Sequence, residues 1–210
     1  LEAYRGFPPL LGAGALGVYL LGFYLRALRW RLLFIHQRVR TGRLFLVQNT
    51  GIGVNNLMPV RVASEPTQYL LLTVRSKVSG GVVLATLLAE RVLDGIATGL
   101  LIGLGLLLLP WIKGLAGWWS PLVPLALAVV FMAGVFYLFG RGQRPRWAQR
   151  VPLLSSFGQA VADLKQHWER TVLAFSLTLL YWVVFGVAAW VMAVGMGLPV
   201  SPFLMVFTVV

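Results

Sequence analysis

The sequence predicts an all-α fold: a polytopic helical membrane protein with a re-entrant, broken-helix hairpin around residues 44–74. Three observations carry that expectation. The 210 residues are 59% hydrophobic and 11% charged, with a mean hydropathy of +0.82, where a soluble domain carries about 25% charged residues. Several continuous apolar tracts reach the roughly 20 residues that a helix needs to cross a bilayer. Between two basic stretches lies a tract too short to cross comfortably, interrupted by Gly, Asn and Pro. The first two observations exclude a soluble enzyme. The third points to a polar site inside the membrane.

The first span runs from Leu10 to Phe34. Its far end carries Arg26, Arg29, Arg31, Arg38, Arg40 and Arg43, which the positive-inside bias places in the cytoplasm. Trp30 and Tyr24 suit the headgroup boundary. The next piece, Leu44 to Met58, is broken by Asn49, Gly51, Gly53, Asn55 and Asn56. At 15 residues it reaches about 22 Å as helix, short of a ~30 Å hydrocarbon core. After Pro59 a second short piece, Gln68 to Val74, leads into Arg75 and Lys77. Both basic ends belong on one side, so the chain between them must enter and return. Two half-length pieces meeting at Asn55–Pro59 satisfy this as a hairpin. Irregular backbone at membrane depth is tolerated only when buried in protein or lining water, and broken helices often mark transporter sites.

A long helix follows from Val82 to Leu109, closed by Pro110. Trp111 to Pro121 reads as an outer-interface loop with Trp111, Trp118, Trp119 and Lys113. The span Leu122 to Phe139 returns to Arg141, Arg144, Arg146 and Arg150. Ser155 to Arg170 has the pattern of an amphipathic helix on the inner surface, with Asp163, Lys165 and Glu169 on its wet side. Val172 to Val194 is another span, and Pro199 to Val210 begins one more. The whole reads as one integral membrane domain over residues 1–210, trimmed at both ends.

The net charge of +12 sits in short loops beside apolar helices, where topology and anionic headgroups account for it and nucleic acid is not needed as a partner. There is no cysteine, so disulfides and thiolate metal sites are out. Arg61, Glu65, Glu90, Arg91 and Asp94 fall within 34 residues, each ion costing about 2.5–3.5 kcal/mol in hydrocarbon unless paired or wet. Glu90, Asp94 and Thr98 share one helical stripe. Arg91, Gly95, Gly99 and Gly103 share the next, giving a small-residue seam where another helix, of this chain or of a second copy, can pack closely. Arg61 is the expected partner of Glu90 or Asp94, and Arg91 of Glu65. Two readings stay open: structural glue holding the hairpin against the long helix, or a groove for a polar headgroup or proton. The Asn55–Asn56 pair reads as a hairpin cap or a ligand contact. His36 and His167 read as isolated surface histidines. No metal set, activated nucleophile, catalytic residue or cofactor motif is visible.

The elements Arg29-Trp30-Arg31, Asn55-Asn56-x-x-Pro59-x-Arg61 with Glu65, and Glu90-Arg91-x-x-Asp94 together resemble the flippase-like membrane family, also called the lysylphosphatidylglycerol synthase transmembrane region. The resemblance covers most of the chain and is strongest from Arg29 to Gly105. It implies a multi-pass protein of a prokaryotic cell membrane. In the best-known member of that family this region is credited with moving aminoacylated phosphatidylglycerol between leaflets, while a separate soluble domain makes the lipid; other relatives accompany hopanoid, glycolipid or glycosyltransferase pathways. Two departures are visible. The family's Gly-Glu and following Arg are replaced by Ala63-Ser64-Glu65-Pro66 and Gln68. The family's C-terminal portion, with a second broken segment, is expected beyond Val210. The resemblance therefore implies translocation of an anionic or phosphate-bearing lipid, with Asn55, Asn56, Pro59, Arg61, Glu65, Glu90, Arg91 and Asp94 lining a polar groove. The alternative is a non-transporting anchor or regulator of a lipid-modifying enzyme such as a phosphatidylglycerol lysyltransferase.

Overall fold

The structure, a computed structural model, describes residues 8–58, 63–108, 126, 130, 134, 137 and 151–202. Pro59, Arg61, the tryptophan loop at 111–121, the arginines at 141–150 and all but four positions of the 122–139 span lie outside the described residues.

Among the described residues all regular structure is helical. Helix α1 is Pro9–Leu33, α2 is Thr41–Leu57, and α3 is Ser64–Leu70, running on into a π-helical turn at Leu71–Arg75. Helix α4 is Gly80–Leu108, α5 is Pro152–Gln166 and α6 is Trp168–Gly195. Proline opens α1 and α5, where its fixed φ fits and its missing N–H has no intrahelical role. Two helices, α1 and α6, are long and apolar enough to cross a membrane.

Helices α1 and α6 pack antiparallel along their lengths. Close approach is set by Gly22, where a Cβ would run into the Phe185 ring. Around it Tyr19, Phe23 and Phe185 stack with centroids 4.8 to 5.4 Å apart. Near the C-terminal end of α1 the core is built from Trp30, Leu33, Leu44, Leu72, Val83 and Leu87. Trp30 is fully buried there and donates its Nε1–H to Thr86 Oγ1 at 3.2 Å. The indole thus packs inside the protein with its polar N–H satisfied by a hydroxyl, as a buried tryptophan requires.

Helix α5 crosses the start of α4. Gly81 makes this possible, because a Cβ there would meet the α5 backbone at Leu153 and Phe157. Phe157, Ala160 and Val161 then close on Ala85. The amphipathic helix is shorter than the Ser155–Arg170 expectation. His167 leaves helical geometry (φ −103°, ψ 53°), so Glu169 and Arg170 open α6 instead. His36 and His167 also prove not to be isolated. His36 Nε2 lies 3.3 Å from Asp163 Oδ2, the two imidazoles meet edge-to-face at 6.1 Å, and His167 Nδ1 is 3.0 Å from the Asp163 carbonyl. Sequence separation of 131 positions concealed that meeting.

The broken segment forms a helical hairpin. Helices α2 and α3 pack together, with Gln68 and the Ser64 carbonyl filling the space a side chain at Gly51 would take. Its tip is tied by the Ala63 N–H donating to Asn55 Oδ1 at 3.3 Å. Its base is tied by Arg43 Nη2 donating to the Arg75 carbonyl at 3.0 Å. Asn55 thus caps the turn into α3, and Asn56 is exposed.

Candidate functional site

The five-ion constellation divides into two parts because Glu90 and Arg91 are adjacent on α4 and face different neighbours. Glu90 turns inward. Its partner, and that of Asp94 one turn later, is Arg29 of α1, whose side chain is fully buried. Arg29 Nη2 donates to Glu90 Oε1 at 2.5 Å and reaches Asp94 Oδ2 at 3.5 Å, while Nη1 donates to Asp94 Oδ1. A guanidinium fork spanning two carboxylates four residues apart uses the helical repeat directly. The expected partner, Arg61, lies outside the described residues, so the partner the structure gives both carboxylates is Arg29.

Helices α2 and α6 complete this network. Gln48 Nε2 donates to Glu90 Oε1 at 3.2 Å. Tyr181 donates its hydroxyl to Asp94 Oδ1 at 2.5 Å, and Arg29 Nη1 reaches Thr178 Oγ1 at 3.2 Å and the Tyr181 oxygen at 3.4 Å. The Arg29 Cζ also stands 5.2 Å from the Tyr181 ring centroid. Four helices meet in this one network. Glu90 and Asp94 are 6% and 18% exposed at their side chains, so Asp94 marks the edge of the network. Burial of this depth requires the charges to satisfy one another.

Arg91 turns outward and pairs with Glu65 of α3, the pairing expected from charge. The two side chains are 46% and 38% exposed, and the bond links the hairpin to α4. This pair is open at its surface, whereas the Arg29 fork is buried. Asp94, three residues beyond Arg91 on the same helix, stands between the two parts. Gln68, found where the resembling family has an arginine, is buried and donates to Ser64 Oγ at 2.9 Å. It fills the hairpin's close approach at Gly51 and brings no charge.

Gly95 and Gly99 are partly buried, and a Cβ on Gly103 would meet nothing within 4 Å among the described residues. The residues that sequence reasoning did not place at the site are Gln48, Thr178 and Tyr181, with Arg29 noted only as a topology charge and as part of a family element. The available signal was the isolated polar character of Gln48, Thr178 and Tyr181 within apolar runs. Among the described residues no group of three or more His, Cys, Asp or Glu gathers to hold a metal ion.

The family model described as the lysylphosphatidylglycerol synthase TM region matches residues 1–210. No curated protein and no solved structure matches the chain. The family match and the two long apolar helices point to a membrane protein.

Proposed function

The chain belongs to the lysylphosphatidylglycerol synthase TM region family, and on that premise we propose that it carries a phospholipid headgroup between leaflets as a multi-pass protein of a prokaryotic cytoplasmic membrane. The observation that carries the reading is the Arg91–Glu65 pair. It is an exchangeable ion pair on a helix whose next face is locked to a buried cation. In this reading the α2–α3 hairpin is re-entrant, its base at Arg43 and Arg75 on the inner side and its tip at membrane depth. The headgroup passes along the seam between the hairpin and α4 while the acyl chains stay in lipid. Arg91, with Arg61 near the hairpin tip, offers parallel donors to phosphate oxygens. Glu65 holds the Arg91 guanidinium when the site is empty, and Asn55 fixes the turn. The Arg29 fork keeps α1, α4 and α6 in register so that the seam has one shape. No covalent step is assigned to this chain.

The test is a leaflet-exchange assay in proteoliposomes with fluorescent phospholipids. The reading expects Arg61→Ala and Arg91→Ala each to slow exchange by at least tenfold while the protein stays folded, roughly the loss of one charged hydrogen-bonded contact. Exchange unchanged in both variants would remove the transport role. A second reading, a non-transporting partner of a lipid-modifying enzyme, is favoured by Gly103, where a Cβ would meet nothing within 4 Å among the described residues. It predicts co-purification with such an enzyme and no lipid movement.

A further inference from the structure

We propose that the cleft between the end of α1, the loop to α2 and the start of α6 is a binding site for a resident phospholipid with a net negative headgroup, separate from the seam described above. The inference rests on the membrane setting of the preceding section but not on transport.

The cleft has a volume of about 830 Å³, and its wall includes Arg31, Arg38, Arg40 and Arg170 together with Leu32 and Leu173. All four guanidiniums are exposed. Arg31 is oriented by donating to Thr41 Oγ1 at 3.2 Å, and none of the four makes an ion pair among the described residues. Among the described residues no carboxylate lies in the wall beside them. Of the chain's 6 acidic residues, Glu65, Glu90, Asp94 and Asp163 are each engaged with another cation or His36. Glu169 is not part of the cleft wall, and Glu2 lies outside the described residues. Positive-inside topology explains basic residues in a loop. It does not require four of them, drawn from both ends of the sequence, to converge on one concavity.

An anion seated in this cleft would therefore come from outside the described residues, and its form follows from the rest of the wall. Leu32 and Leu173 sit on the two helices able to cross a membrane, and Trp168, 67% exposed beside Arg170, is placed as an interfacial aromatic would be. An anionic head joined to an apolar body matches both halves of the surface. A soluble anion matches one. Arg31 is two residues from Arg29 on α1, so the cleft opens away from the buried network. It lies at the end of that helix, at headgroup level. A lipid held there stays in its leaflet and bridges α1 to α6.

The experiment uses the full chain in vesicles carrying a phosphatidylglycerol or a phosphatidylcholine with a photoactivatable group in its acyl chain. Adducts are mapped by peptide. The proposal expects phosphatidylglycerol adducts concentrated on residues 28–41 and 168–173. The triple variant Arg38→Gln, Arg40→Gln, Arg170→Gln should lower that yield by at least about tenfold, and the corresponding Lys variant should retain most of it. Soluble glycerol phosphate should not compete. Equal labelling by the zwitterionic lipid, labelling unaffected by the triple variant, or full competition by glycerol phosphate would each overturn it. The readout is occupancy, so this proposal can fail while leaflet exchange persists, and the reverse.

Discussion

Replacing Arg29 by Met removes the cation that salt-bridges both Glu90 and Asp94. Both carboxylates then stay where their helix puts them, at 6% and 18% side-chain exposure. Deleting one partner of a buried ion pair costs about 3–5 kcal/mol, because the remaining charge is uncompensated. Asp94→Asn is milder. It leaves Arg29 paired with Glu90, and the amide oxygen can still accept from Arg29 and Tyr181, so the expected cost is about 1–3 kcal/mol. Arg91→Ala breaks a pair whose partners are each more than a third exposed, and should cost at most about 1 kcal/mol. The triple variant Arg29→Met, Glu90→Gln, Asp94→Asn removes charge on both sides and should recover part of the loss. The difference from additivity should reach about 0.5–3 kcal/mol. Unfolding in mixed micelles, followed by helical circular dichroism against denaturing detergent, measures all four. If Arg29→Met is no more destabilising than Arg91→Ala, the Arg29 fork is not what holds these helices.

Three further outcomes follow from the packing. Tyr181→Phe deletes the donor to Asp94 and should destabilise by about 1–3 kcal/mol in the same assay. Gly81→Val drives a side chain into the α5 backbone and should cost about 1–3 kcal/mol or release α5 to protease, whereas Gly103→Ala, whose Cβ meets nothing within 4 Å among the described residues, should stay within about 0.5 kcal/mol. Because the chain has no cysteine, single-cysteine labelling has no background. Met58→Cys at the hairpin tip should resist an impermeant maleimide from the outer side, and Lys77→Cys should react only from the inner side. Ready outer labelling at position 58 would mean that the hairpin crosses fully.

Much of the helical plan could be read from residue order, since run length and terminal cations are local properties. Helix α1 was expected at 10–34 and lies at 9–33, and α4 was expected at 82–109 and lies at 80–108. The stripe joining Glu90 to Asp94 followed from helical repeat alone, and the Arg91–Glu65 pair from charge and proximity. Arg29 was hidden by its company. Six arginines cluster between residues 26 and 43, and topology explains them equally well as a group, so only the packed fold selects one for burial. Tyr181 lies 152 positions from Arg29, in an apolar run whose pattern says nothing about which neighbour it meets. The glycines teach the same lesson. Spacing shows where backbones can approach, but the approaches at Gly22, Gly51 and Gly81 depend on partners distant or irregular in sequence. An aromatic near a helix end suits an interface and a core alike, so residue order did not show that Trp30 is buried against Thr86.

The most direct measurement of the transport account is a charge exchange across the seam. Phospholipid transfer between leaflets should drop sharply in Arg91→Glu and in Glu65→Arg separately. It should return to at least half of the starting rate in the double variant if the pair itself shapes the path. Transfer that is indifferent to all three variants, in protein that remains folded, would contradict it.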